Sequence, residues 1–470
     1  MTPEEFRTIG HQVIDWIADY RAHLADYPVM STVEPGAVRA QLPVEPPETA
    51  ESFEAIMADL NKIIVPGMSH WNHPSYFAYF PANASLSAVL GDLISSSFGA
   101  IGLNWQASPA LTELEEVVAD WMRQMLGLSE VWSGVIQDSA STTTLVALLS
   151  AREWVTNHSQ AQGGLQGEQQ PLTVYTSSQS HSSVQKAALL AGFGLDNLRV
   201  IDIDENHALR VDLLEQTIKD DLAAGCRPCA VVATIGTTST TAIDPIEQIA
   251  SLTAAHNMWL HVDTAMAGAA MILPECRWMW QGIDQADSLV LNPHKWLGTP
   301  FDCSLYYVRN PEHLIRVMST NPSYLQTAAD NETNSFRDWG IPLGRRFRAL
   351  KLWCLIREQG ITGLQARLRR DITNAQWLKE QVDAAPDWER VAPVNLQTVC
   401  LRHVPAGLEG DALDQHTLAW ADRINRSGKA YVTPAKLKGQ WMVRISIGSE
   451  PTERSDVEAV WAQMRQAVSL

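Results

Sequence analysis

Ser288-Leu289-Val290-Leu291-Asn292-Pro293-His294-Lys295-Trp296-Leu297-Gly298 is the stretch on which the reading of this chain turns. Its first four residues form an apolar run that ends in an amide, a proline, an imidazole and a lysine. Lysines keep to wet surfaces, so one held at a strand end beside His294 and Trp296 is partly desolvated. Desolvation disfavours the ammonium form and makes its proton easier to lose. The neutral amine is then a nucleophile toward aldehydes. A strand-end lysine that merely caps carbonyls would sit in the same local sequence, and these residues alone leave both readings open.

His261-Val262-Asp263-Thr264-Ala265 breaks the tie. It follows the apolar Met258-Trp259-Leu260 and reads as the end of a buried strand. Strands covered on both faces are almost continuously hydrophobic, so an aspartate there needs a reason. A helix N-cap is one. A pyridoxal ring is another, because a buried carboxylate beside its ring nitrogen keeps that nitrogen protonated and the ring an electron sink. Asp263 and Lys295 are 32 residues apart, about the ~30 residues of one strand-crossover-strand unit. Both side chains can thus reach the carboxyl ends of neighbouring parallel strands, where ligands bind in such sheets.

Together with Phe301-Asp302-Cys303-Ser304, these two segments closely resemble the group II pyridoxal-phosphate decarboxylases, and within them the aromatic-L-amino-acid decarboxylases. The resemblance runs from Trp71-Asn72-His73-Pro74 to Ile341-Pro342-Leu343-Gly344-Arg345-Arg346-Phe347-Arg348 and continues more weakly to the end. It implies an α/β, aminotransferase-like (fold type I) protein that binds pyridoxal 5'-phosphate. The expected division is an N-terminal helical segment (1–84) packing on a partner subunit, a large cofactor-binding domain with a mostly parallel sheet (85–348) and a small C-terminal α+β domain (349–470).

Composition limits the alternatives. A formal net charge of −18 argues against nucleic acid as a partner. The arginines at 345, 346, 367, 369 and 370 read as solvated helix surface or as internally paired. Six cysteines in 470 residues imply no disulfide framework. Cys226-Arg227-Pro228-Cys229 lacks a second pair, so no metal site is expected. No stretch approaches the ~20 apolar residues of a membrane span, and the acidic, helical start is unlike a signal peptide. The expectation is a cytoplasmic protein without membrane association.

Thr2-Pro3-Glu4-Glu5 reads as a capping box opening a helix, with Phe6, Ile9, Val13, Ile17 and Tyr20 at helical spacing. A second helix is expected over 52–65, and others over 108–126, over 141–154 and after Arg348. Strands are expected at 172–176, 198–203, 230–235, 259–262, 288–291, 304–308 and 441–446. Alternation of this kind implies an α/β domain. Residues 319–338 are polar and aperiodic, and loops of that length inside compact domains are usually functional lids or disordered.

The resemblance assigns the remaining roles. Ala140 and Ser141, in Ser139-Ala140-Ser141-Thr142-Thr143, open a helix whose exposed N–H groups suit the cofactor phosphate, though plain N-capping would use the same residues. Asn292 and His294 are further phosphate contacts by resemblance. Lys295 would carry the cofactor covalently, Asp263 would hold its ring nitrogen, His181 would stack on its ring, and Ala265 and Thr238 would line it, with Asp244 in support. Tyr324 would protonate the substrate carbon after carbon dioxide leaves. A phenylalanine at that place goes with oxygen-consuming aldehyde formation in the family, so the tyrosine implies an amine product. Trp71, Tyr79, Phe80 and Pro81, with Ile101 and Leu103 from the other subunit of a homodimer, suggest a pocket for a flat apolar side chain. The chain departs from the animal enzymes at Ala82, Leu103 and Met266, where they carry threonine, phenylalanine and tyrosine. The implied reaction is decarboxylation of dopa, tryptophan, 5-hydroxytryptophan, tyrosine or phenylalanine. The alternatives are oxidative formation of aromatic acetaldehydes and a non-catalytic protein on the same fold.

Overall fold

The computed structural model describes residues 1–327, 329 and 332–469. It divides into two compact units. One comprises residues 82–375 and 392–399, the other residues 1–81, 376–391 and 400–470.

The first unit is built on a seven-stranded sheet. Its strands are β1 (Ser133–Gln137), β2 (Leu172–Ser177), β3 (Leu198–Ile201), β4 (Arg227–Thr234), β5 (Trp259–Asp263), β6 (Ser288–Leu291) and β7 (Ser304–Val308), in the order β1-β7-β6-β5-β4-β2-β3. Neighbours from β3 to β6 are parallel, whereas β7 runs antiparallel to β6 and β1 antiparallel to β7. Every residue of β2, β5, β6 and β7 is buried, as expected for a sheet covered on both faces. The helix Ala140–Val155 supplies part of that cover. Its Val146 and Ala147 pack with Val135, Tyr306 and Val308. Its Leu148, Ala151 and Val155 pack with Val174, Val232 and Trp259.

The six strands expected in this unit are present, with ends shifted by up to three residues. Three details differ. β1 was not anticipated, because Ser133 and Gly134 dilute a short apolar run. The connection from β5 to β6 contains 3-10 turns at Ala267–Ile272, Pro274–Trp280 and Ile283–Gln285 in place of an α-helix. The chain there lies too close to the sheet for a wider coil: a Cβ added to Gly268 would stand 2.6 Å from the Leu291 Cβ. Finally, β2 ends at Ser177, so His181 follows a turn and caps the next helix without ending the strand itself.

The arginines are internally paired. Buried Arg345 meets buried Glu115 at 2.5 Å, and Arg369 meets Glu275 at 2.6 Å. Arg346 pairs with Asp92, Arg370 with Asp371, and Arg367 donates to the carbonyls of Trp296 and Leu297.

The second unit carries the helix Pro3–Ala22, whose capping box joins Thr2 and Glu5 as expected, and which buries no residue. The helix expected over 52–65 is α-helical only at Phe53–Asp59 and then widens into a π turn at Leu60–Ile64. A four-stranded sheet in the order β10-β11-β9-β8 holds this unit's core. Its strands are β8 (Trp388–Arg390), β9 (Thr398–His403), β10 (Thr433–Leu437) and β11 (Gln440–Ser446). The long helix Arg348–Ala384, whose residues 348–375 belong to the first unit, turns at Gly360, whose φ of 62° favours glycine. Among the described residues no helix is long and apolar enough to cross a membrane.

Candidate active site

The β5–β6 register sets the site. Asp263 closes β5 opposite Val290 of β6, and the ladder continues as Thr264 N–H donates to Val290 C=O and Asn292 N–H to Ala265 C=O. Asp263, Ala265, Asn292 and Lys295 therefore gather where the carboxyl ends of two parallel strands stop pairing, the usual position for ligands in such sheets.

Lys295 lies in a tight turn over Pro293–Leu297, with φ −99° and ψ −109°. Hydrogen bonds hold that turn on several sides. Lys295 N–H donates to Asn292 C=O (3.0 Å), Gly298 N–H to Pro293 C=O (3.0 Å) and the Asn83 amide to Lys295 C=O (3.3 Å). The Trp296 indole donates to buried Asp371 at 2.8 Å, whose carboxyl burial pushes up to about 6. A lysine on such a base has its backbone fixed while its long side chain remains half-buried.

Asp263 is buried, and one carboxylate oxygen accepts from Ala265 N–H at 2.9 Å. Its other oxygen accepts no hydrogen bond from a described residue. His181 caps the helix Ser182–Leu190, its Nδ1 accepting from Ser183 N–H at 3.1 Å. Desolvation lowers the His181 pKa most. The Asp263 carboxylate raises it and the Lys295 ammonium lowers it, so all three lie within electrostatic reach. His294 Nδ1 accepts from Cys303 N–H at 2.9 Å, which leaves the proton of the neutral ring on Nε2. Burial, helped by Lys295, pushes His294 down to about 3. Asn292 is buried and accepts from the Ser304 hydroxyl at 2.7 Å.

At Ala140–Val155 the N-cap is Ser139, whose hydroxyl accepts from Thr142 N–H and whose carbonyl accepts from Thr143 N–H. The N–H groups of Ala140 and Ser141 have no partner among the described residues. Two open amides at the positive end of a 16-residue helix suit an anion. Thr238 is half-buried in the turn after β4. Asp244 is wholly buried and accepts from Leu209 N–H and Thr234 N–H, both at 2.8 Å. It is a backbone clasp beneath the site, pushed up to about 6 by burial.

These features fit pyridoxal phosphate without adjustment: a lysine on a fixed turn, a buried acid with a spare oxygen, an imidazole near both, and open helix amides for a phosphate. The chain matches the pyridoxal-dependent decarboxylase conserved domain over residues 35–404. It belongs to that family. It is 39% identical to tyrosine decarboxylase 2 of Narcissus pseudonarcissus over 98% of this chain and 93% of that one. Similarity to phenylacetaldehyde synthase of Arabidopsis thaliana is also 39%, over 100% and 97%. The crystal structure of Oryza sativa TDC with PLP and tryptamine superposes with a TM-score of 0.97 at 35% identity, covering 100% of this chain and 98% of that one. As a pyridoxal-dependent decarboxylase, the chain is a carboxy-lyase that uses pyridoxal 5'-phosphate.

Of the other expected residues, Tyr324, Ile101 and Leu103 belong to the first unit and Trp71, Tyr79, Phe80 and Pro81 to the second. Tyr324 sits in a 3-10 turn, Ser323–Leu325, and is 79% exposed. Ile101 is 57% exposed and Leu103 half-buried. In the second unit Trp71 stacks on Tyr76 and Tyr79, with ring centroids 4.8 and 5.6 Å apart, and Arg444 lies over the Phe80 ring next to Pro81.

Sequence reasoning missed the residues that hold these parts in place. Arg337 is buried, and it donates to Leu325 C=O at 3.0 Å and to the Asn321 side chain at 3.3 Å, so it grips the Tyr324 turn on both sides. Asn104 donates to the same Leu325 carbonyl at 3.4 Å. The available signal was the pair Phe336 and Trp339, whose burial draws Arg337 inward from an otherwise polar segment.

Proposed function

We infer that this pyridoxal-dependent decarboxylase acts on aromatic L-amino acids and releases the arylalkylamine and carbon dioxide. The observation that carries the reaction is the placing of Lys295 and buried Asp263 beyond the carboxyl ends of the paired strands β6 and β5, with the helix-capping His181 within electrostatic reach of both. The aromatic preference is supported by relatives named for tyrosine and phenylacetaldehyde, by the tryptamine in the Oryza sativa structure, and by the exposed indole of Trp71 beside Tyr79.

Pyridoxal phosphate, when bound, supplies an aldehyde that captures an amine and a conjugated ring that takes up the electrons left as carbon dioxide departs. Lys295 would hold the coenzyme through its amine between turnovers and, as a nucleophile, would displace the product amine. Asp263 would keep the ring nitrogen protonated. His181, its imidazole oriented by the Ser183 N–H bond to Nδ1, would stack on the ring. The Ala140 and Ser141 amides, Asn292 and the Nε2–H of His294 would bind the phosphate. Ala265 and Thr238 would line the coenzyme, and Trp71, Tyr79, Phe80, Pro81, Ile101 and Leu103 are proposed for the substrate ring. Tyr324 gives its phenolic proton to the α-carbon once the carboxylate has gone, so that the amine leaves with one hydrogen in place of the carboxyl.

We also propose a homodimer that brings Ile101 and Leu103 to the partner's site. Two exposures support it. The helix Pro3–Ala22 buries nothing, and the helix Leu86–Phe98 exposes Leu86, Leu90, Leu93, Ile94 and Phe98 along one stripe. A cytoplasmic location is supported by six cysteines that are all unpaired.

The test is a panel of dopa, tryptophan, 5-hydroxytryptophan, tyrosine and phenylalanine with amine and carbon dioxide measured together. Equimolar release from at least one, abolished in Lys295→Ala along with the borohydride-bleachable yellow colour, is the expected result. Glutamate turning over faster than all five would overturn the aromatic reading. Full turnover in Lys295→Ala would overturn the mechanism.

A further inference from the structure

β5 has a second polar end. Asp263 lies at its carboxyl terminus, and about 13 Å away along the strand, at ~3.3 Å per residue, Trp259 begins it. Beside that beginning is a hollow of about 410 Å³ lined by Trp154, Asn157, His158, Asn257, His313 and Arg316. The volume is that of a small-molecule site, ~300–1,000 Å³.

Its lining is unspent. His158 is only 8% exposed, yet its imidazole makes no hydrogen bond to a described residue and meets only the His313 ring, 5.2 Å away. Arg316 is exposed and forms no ion pair with a described residue. The side-chain amides of Asn157 and Asn257 are equally uncommitted, and both residues stand in the left-handed region, with φ 54° each. His313 is already engaged, its Nε2 meeting Ser150 C=O at 2.9 Å. Two carboxylates bear on the hollow: exposed Glu312 at its rim, where water screens it, and buried Glu153, within electrostatic reach of His158 and His313 and paired with Arg152.

We propose that this hollow binds a small oxyanion, a carboxylate or a phosphate group, through Arg316 and His158 with help from the Asn157 and Asn257 amides. Arg316 supplies the charge, and an imidazole N–H with two amide N–H groups supplies directional donors of the kind oxyanions accept. The indole of Trp154, 44% exposed at the same hollow, offers a flat wall should the anion be carried on an aromatic body. The inference stands apart from the decarboxylase reading and uses none of its residues.

The experiment is isothermal titration of the coenzyme-loaded protein at fixed ionic strength, with inorganic phosphate in one series and benzoate in another. One saturable site per chain is expected, with affinity falling about tenfold in Arg316→Ala and in His158→Gln and rising in Glu312→Gln. Coenzyme absorbance and the KM for the amino acid should stay unchanged in Arg316→Ala, whose side chain is exposed and whose loss leaves the fold intact. Binding of phosphate alone identifies a tetrahedral anion; binding of benzoate, lost in Trp154→Ala, identifies an aromatic carboxylate. No saturable binding of either probe, or binding indifferent to both Arg316→Ala and His158→Gln, overturns the proposal.

Discussion

Replacing Arg337 by glutamine tests whether the turn bearing Tyr324 must be held to act. Arg337 donates to Asn321 on one side of Tyr324 and to Leu325 on the other, and its side chain is buried. Hydrogen bonds from a charged donor contribute about 1.5–3 kcal/mol each. Glutamine is shorter and can replace at most one of the two, so the held arrangement of the loop loses about that much relative to open ones. If only the held arrangement delivers the Tyr324 proton, kcat falls by about 10- to 150-fold. The KM and the coenzyme affinity should move little, because Lys295, Asp263 and His181 sit on strands and helix ends that the substitution does not touch. The assays are steady-state amine release, coenzyme titration by absorbance, and limited proteolysis of residues 319–335, which should quicken. A thermal melt within a few degrees of the parent separates a loosened loop from a damaged fold. A kcat within about twofold of the parent, with proteolysis unchanged, would refute the reasoning.

Tyr324→Phe removes the phenolic proton while keeping the ring, so amine yield should fall and aldehyde, ammonia and oxygen uptake should rise. Unchanged amine stoichiometry would remove Tyr324 from the protonation step. Gly268→Ala sets a methyl 2.6 Å from both the Leu291 Cβ and the Thr264 hydroxyl, an overpacking that costs about 1–3 kcal/mol; the urea midpoint should fall, and an unchanged midpoint would show that the β5–β6 connection gives way freely. His261 is wholly buried and pushed by desolvation from 6.5 down to about 4. Its pKa is lower in the folded state, so below about 6.5 the unfolded chain takes up a proton that the folded chain refuses, and stability falls as pH falls. At pH 5 that loss is 1.5 pH units at about 1.36 kcal/mol each, about 2 kcal/mol. His261→Gln should lose correspondingly less stability between pH 7 and pH 5 than the parent, and equal losses in the two proteins would contradict the assignment.

What the sequence revealed follows from where each group sits. Lys295 and Asp263 stand at the ends of strands too short and too buried to tolerate polar residues without cause, so a break in the apolar run exposes them. Ala140 and Ser141 were legible because a helix start has a local grammar of small hydroxyl residues. Arg337, Asn104, Asn83, Asp371 and Arg367 were not, because each acts on a group 12 to 221 residues away (a backbone carbonyl for four of them, the Trp296 indole for Asp371), and no local pattern encodes such a distance. The same reason hid β1, β8, β9 and β10: short strands of mixed polarity draw their stability from a neighbour's ladder rather than from their own composition. The β5–β6 spacing was read correctly as one crossover, but its 3-10 form depends on the close approach of Gly268 to Leu291, which is a tertiary fact.

The site residues also differ in how firmly the fold holds them, and that ordering bears on what each can control. Lys295 stands on a turn fixed by Asn292, Asn83, Asp371 and Arg367, so its backbone has no freedom that a single loss would release. Tyr324 stands on one 3-10 turn in a long polar segment, gripped at its base by Arg337 and Asn104 and otherwise in water. Coenzyme capture, which needs a fixed nucleophile, is thus assigned to the rigid part. Protonation, which needs water admitted or excluded in turn, is assigned to the exposed turn Ser323–Leu325. It follows that changes in residues 319–338 should alter which product forms while leaving the coenzyme bound, and that changes at the Pro293–Leu297 turn should cost coenzyme and activity together. A loop variant that sheds its coenzyme while its strands keep their stability would show that the division is drawn in the wrong place.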